Sequence, residues 1–174
     1  MRKNELKNLI LSAMFLALGV VLPLFTTQIK EIGDSLLPMH IPVLLCGALC
    51  GWKYGAVIGF ILPFFRSIIF SMPPIYPNAV WMAFELLAYG AVFGFLYNNA
   101  KRKNVLTLYL SLISALLAGR IVWAIVKTLL LSFAGKTFTF SAFLMGGFVD
   151  AIPGLALQLV LVPLVVMIAE GYKK

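Results

Sequence analysis

Apolar runs long enough to cross a bilayer follow one another along this chain, which leaves few alternatives to a helical membrane bundle. Hydrocarbon offers no partner for backbone N–H and C=O groups, so each run must satisfy its own by winding into a helix. The pattern predicts spans at 8–25, 36–52, 53–71, 78–98, 105–132 and 141–170. The second is short and bracketed by Pro38, Pro42 and Gly51, so it is expected to tilt or break. The third follows it around Gly51 to Gly55 with almost no loop, and SMPPIYP (Ser71 to Pro77) is too proline-rich to be helical. Only 11% of the residues are charged, too few to keep a chain that is 62% hydrophobic dissolved as a globule. The expected fold class is therefore an all-α integral membrane protein, a bundle of six transmembrane helices forming one domain over residues 1–174.

Basic residues set the orientation. With the N-terminus inside, the cytoplasmic side receives nine (Arg2, Lys3, Lys7, Lys53, Lys101, Arg102, Lys103, Lys173 and Lys174), against Lys30 and Lys136 outside. Both termini are then cytoplasmic. The +8 net charge is spent on span-flanking anchors suited to anionic membrane lipid, not on a nucleic-acid surface. The basic, apolar N-terminus resembles a signal peptide but has no clear cleavage site and leads into further spans, so it reads as the first helix. Cys46 and Cys50 share a helix face in an apolar segment, where packing is the simple role; they are too few for a metal site. No Walker-type loop occurs, so the chain is not expected to hydrolyse ATP, and no cofactor or metal is expected.

Five charges fall inside the spans: Arg66, Glu85, Arg120, Lys127 and Asp150. Each costs ~2.5–3.5 kcal/mol near the bilayer centre, so each is expected to face the bundle interior. Their depths, with His40 at the start of the second helix, lie in the outer half or near the midplane, which points to a cavity open to the outside. Helical spacing groups Asn78, Trp81, Glu85 and Tyr89 on the fourth helix and Arg120, Trp123 and Lys127 on the fifth. Gly146, Asp150, Gly154 and Gln158 recur every four residues on the sixth. Charge mixed with indole and phenol rings suits a ligand with an apolar body and polar ends. The bland alternative is structural pairing, Arg66 with Glu85 and Arg120 or Lys127 with Asp150. Two acids against three bases leave a cation over, which favours an anion, and arginine suits a carboxylate.

The first helix carries no buried charge but presents Ala13 and Ala17, a small-xxx-small pair that admits a close neighbour. With this element, the size, the six spans and the basic flanks, the chain resembles the substrate-binding S components of energy-coupling factor (ECF) vitamin transporters. LPMHIPVLLCGALCGWKYGAVIGF (Leu37 to Phe60) looks like the family's Pro-rich lead-in to the second helix and its Gly-rich turn, followed by LPFFRSIIFSMPPIYPNAVWMAFEL (Leu62 to Leu86). The resemblance implies that Ala13 and Ala17 contact a membrane-embedded coupling subunit, and that two ATPases drive toppling of the chain to release substrate. It also implies a site near the outer face, under the loops at Thr26–Leu36, Ser71–Pro77 and Ser132–Thr139. The Leu37–Glu85 block looks most like pantothenate-type members; pyridoxine-like, hydroxymethylpyrimidine and corrinoid ligands stay open. The expected substrate contacts are His40, Arg66, Tyr76, Asn78, Trp81, Glu85, Arg120, Trp123, Lys127 and Asp150.

Two other classes compete. An intramembrane enzyme would use Glu85, Asp150 or His40 as acid and base, but no HExxH, GxSxG or Asp-rich repeat supports it. A stand-alone channel or carrier would be favoured by inverted repeats, and the halves show no convincing one.

Overall fold

The computed structural model describes residues 3–26, 37–133, 135 and 139–171. Helix α1 covers Lys3–Thr26, α2 His40–Cys50, α3 Trp52–Phe70, α4 Val80–Asn98, α5 Val105–Phe133, α6 Phe140–Leu144 and α7 Ile152–Ala169. Widened π-type turns at Ile75–Ala79 and Met145–Val149 lead into α4 and out of α6. The expected helical membrane bundle is what forms. Five segments are long and apolar enough to cross a bilayer: Asn4–Phe25, Trp52–Phe70, Ile75–Asn98, Val105–Phe133 and Met145–Ala169.

The second span is the departure. As α2 it has 11 residues, about 16 Å of rise against roughly 30 Å of hydrocarbon. Its composition explains where it sits instead. HIPVLLCGALC is apolar on every side, and such a helix belongs in a core; nine of its residues, from His40 to Cys50, are buried. Leu44, Leu62, Leu86, Tyr89, Phe93, Leu108, Leu112 and Val162 pack into one cluster with Val43 and Cys46. The thiols of Cys46 and Cys50 are free and buried, and Cys46 Sγ lies 3.5 Å from Ser12 Oγ.

Glycines let α2, α3 and α4 meet backbone to backbone. A Cβ on Gly47 would stand 2.5 Å from the Gly90 carbonyl oxygen, and one on Gly55 would stand 2.6 Å from the Gly47 Cα. No rotamer change relieves such a clash, because the obstacle is main chain. Asn98 donates through Nδ2 to the Gly47 carbonyl at 3.1 Å and the Gly94 carbonyl at 2.8 Å, tying the end of α4 to this seam. The α2–α3 reversal is made at Gly51, whose φ of 103° suits a residue without Cβ. At the far end of α4, the Tyr97 hydroxyl donates to Glu170 at 2.5 Å and Lys103 meets the same carboxylate at 2.7 Å, clasping α4 to the end of α7.

The sixth span is not one helix. Gly146 and Gly147 weaken its start, and Pro153 has no N–H to donate, so α7 begins afresh at Ile152. The four-residue stripe through Gly146, Asp150, Gly154 and Gln158 is therefore broken. Gly154 and Gln158 are buried on α7, whereas Asp150 lies in the break and is exposed. The expectation that Asp150 faces the interior is corrected by that interruption.

Candidate functional site

A cavity of about 320 Å³ opens at the bundle end where α2 begins and α3 hands over to α4, opposite the basic 101–103 loop. Seven of the ten expected contact residues line it: His40, Arg66, Asn78, Trp81, Glu85, Arg120 and Trp123. Helical spacing explains the convergence. Asn78, Trp81 and Glu85 project from successive turns at the start of α4, and Arg120 and Trp123 share one face of α5.

The charged floor is compact. Arg120 Nη1 lies 3.0 Å from Glu85 Oε1, and His40 Nε2 approaches the same oxygen at 3.5 Å. Both members of the pair are only 3% exposed. The alternative of structural pairing gave Glu85 to Arg66, and the structure pairs it with Arg120 instead. Arg66 sits nearer the end of α3, where its Nη1 contacts the Met39 sulfur at 3.4 Å, while Arg120 reaches Glu85 across the α4–α5 contact. Asp150 pairs with neither Arg120 nor Lys127 among the described residues, since the break in the sixth span turns it outward. The lining carries two guanidinium groups, Arg66 and Arg120, and one carboxylate, Glu85.

Three expected contacts stand off the cavity wall. Lys127 lies behind it, its ammonium 5.1 Å from the Trp81 ring centre and 4.4 Å from that of Trp123, so the lysine braces the two indoles of the wall. Tyr76 is 60% exposed. It precedes Pro77, which drives it into an extended conformation (φ −119°, ψ 133°) and aims its ring away. Asp150 is absent from the lining for the reason given above.

Leu37 and Met82 were not among the expected site residues; with Met72, Pro73 and Pro74 of the expected 71–77 loop and Gly146 of the sixth-span stripe they complete the wall. Met82 was recoverable, since it lies four residues after Asn78 and three before Glu85. The Pro73–Pro74 turn is positioned by Ser67, whose hydroxyl donates to the Pro73 carbonyl at 2.6 Å, a contact no spacing rule announces. Tyr89 was in the α4 stripe and is fully buried below the floor, edge-on to the His40 ring at 5.1 Å. The expected covering loop at Thr26–Leu36 lies almost wholly outside the described residues, as does half of Ser132–Thr139.

Ala13 and Ala17 are both exposed on α1, on a face shared with Ile10, Met14 and Leu18, while Ser12 and Gly19 turn inward. No curated protein and no solved structure matches the chain. A family model described as the substrate-specific component of ECF transporters matches residues 7–166.

Proposed function

The chain belongs to the substrate-specific components of ECF transporters, and on that premise we propose that it captures pantothenate from outside the cell for ATP-driven uptake. The observation that carries the ligand class is the Arg120–Glu85–His40 floor with Arg66 beside it, two guanidinium groups at one cavity. A guanidinium receives a carboxylate through paired hydrogen bonds, so such a lining suits an anionic group. Pantothenate adds hydroxyls and a branched apolar middle, which Asn78, Trp81, Met82 and Trp123 suit. The basic 101–103 loop lies at the opposite end of the bundle, so the positive-inside rule supports a cavity facing outward from a cell membrane.

Energy comes from partners in this reading. The exposed Ala13–Ala17 face of α1 receives a membrane-embedded coupling subunit, and two ATPases act through it. Mass spectrometry of ligand released from the denatured, purified protein tests the vitamin: pantothenate is expected, and recovery of a different vitamin sinks that assignment. Uptake by this chain alone, in vesicles without ATP, would instead argue for a stand-alone carrier.

A further inference from the structure

A hydroxyl inside a helix ordinarily donates to the carbonyl four residues before it. Ser12, Thr128 and Ser132 all do so here, to Asn8, Ala124 and Thr128 at 2.6, 2.7 and 2.8 Å. Ser67 does the opposite. It is 5% exposed on α3, and its hydroxyl donates six residues forward, to the Pro73 carbonyl at 2.6 Å. Ser71 makes that reach possible. Its left-handed conformation (φ 57°) ends α3 and folds the chain back toward the last turn of the helix.

The connector that Ser67 grips has few other means of attachment. Pro73, Pro74 and Pro77 have no N–H, so at those residues the main chain can be held only through its carbonyls. The Pro74 carbonyl accepts from the Ala79 N–H at 3.0 Å, a bond that joins the connector to the start of α4 but not to α3. Side-chain burial adds little, because Met72, Ile75 and Tyr76 are each more than half exposed. The Ser67 hydroxyl is thus the tie that draws the connector onto α3. What it holds is part of the cavity, since Met72, Pro73 and Pro74 all line it, beside Arg66.

We propose that Ser67 is a positioning residue for the ligand: through the Pro73 carbonyl it holds the Met72–Pro74 wall in place and so sets how long a bound ligand stays. The role in ligand residence rests on the reading of the cavity as the substrate site.

The test uses the full chain in lipid nanodiscs, as wild type, Ser67→Ala and Ser67→Thr, the last keeping the hydroxyl. Three quantities are measured: backbone hydrogen exchange without ligand, iodide quenching of tryptophan fluorescence without ligand, and the dissociation rate of pantothenate. A Trp52→Phe background leaves Trp81 and Trp123, both in the cavity wall, as the fluorescent reporters. Ser67→Ala is expected to speed exchange over residues 71–79 but not in α2, to raise iodide quenching, and to release pantothenate about fivefold faster. Ser67→Thr restores all three. Wild-type exchange over 71–79 in Ser67→Ala overturns the proposal, as does faster exchange with an unchanged dissociation rate. Exchange that rises equally in α2 makes Ser67 a plain packing residue and overturns it too. If wild type does not bind pantothenate, the vitamin assignment fails separately. Exchange and quenching then decide: a rise in both upholds the positioning role, and either one unchanged overturns it. Should Ser67→Ala fail to fold, Ser67→Cys, whose thiol is a weak donor, decides by the same readings.

Discussion

Breaking the buried pair from either side separates its structural role from its charge. At 3.0 Å and an effective dielectric of about 20, the attraction between Arg120 and Glu85 is about 5.5 kcal/mol. Stripping one partner from such a pair costs about 3–5 kcal/mol, because the other charge is left buried without compensation. Glu85→Gln keeps a polar oxygen beside the guanidinium, so its cost lies near the lower figure. Arg120→Gln leaves the carboxylate with His40 as its remaining close contact, and its cost lies near the upper. Both variants lose stability, yet they move the lining charge in opposite directions. Glu85→Gln removes a negative charge from the lining and Arg120→Gln a positive one. A charge-assisted hydrogen bond is worth about 1.5–3 kcal/mol, or roughly tenfold to a hundredfold in affinity. On the proposed assignment, pantothenate is therefore expected to bind Glu85→Gln about tenfold more tightly than wild type, and Arg120→Gln at least tenfold more weakly. Denaturant titration of the ligand-free proteins and calorimetric titration of the vitamin measure the two quantities. Equal weakening in both variants, or wild-type affinity in Arg120→Gln, refutes the reasoning.

Gly90→Ala drives a Cβ into the Gly55 backbone and is expected to cost more than about 2 kcal/mol, whereas Gly146→Ala meets only the Trp123 ring at 3.6 Å and stays within about 0.5 kcal/mol; thermal unfolding ranks them. Tyr97→Phe removes the bond to Glu170 and lowers stability by about 1–2 kcal/mol, while Lys103→Ala, at a half-exposed ion pair, lowers it by less than about 1 kcal/mol and less again at high salt. Lys127→Met withdraws the cation from two indoles, shifting tryptophan emission and costing about 0.5–1 kcal/mol, with Lys127→Arg restoring both; an unchanged spectrum in the methionine variant counts against the bracing role.

What the sequence disclosed and what it concealed divide along a physical line. Periodicity within one helix was readable, so Asn78, Trp81 and Glu85 on α4, and Arg120 with Trp123 on α5, were grouped correctly before any geometry was known. Pairing between helices was not readable, since depth along an axis says nothing of rotation about it. Structural pairing from the sequence gave Glu85 to Arg66 and Asp150 to Arg120 or Lys127, whereas the packing of α4 on α5 brings Arg120 to Glu85. The stripe on the sixth span failed because it assumed an uninterrupted helix. Two adjacent glycines and Pro153 were visible warnings that the turn count would restart. Tyr76 was missed for a similar reason, its direction being set by the following proline and not by spacing.

The contact of main chain on main chain among α2, α3 and α4 has a mechanical consequence. Side-chain interfaces yield under load by rotamer hops, but here the seam has no side chains to hop. A push on one of these helices is delivered to the other two almost undiminished, as in a wedge cut from one block. Compliance has to be found elsewhere, in the glycine-broken stretch around 146–147 and in the α3–α4 connector, both of which border the cavity. The stiff part and the yielding part thus meet at the cavity.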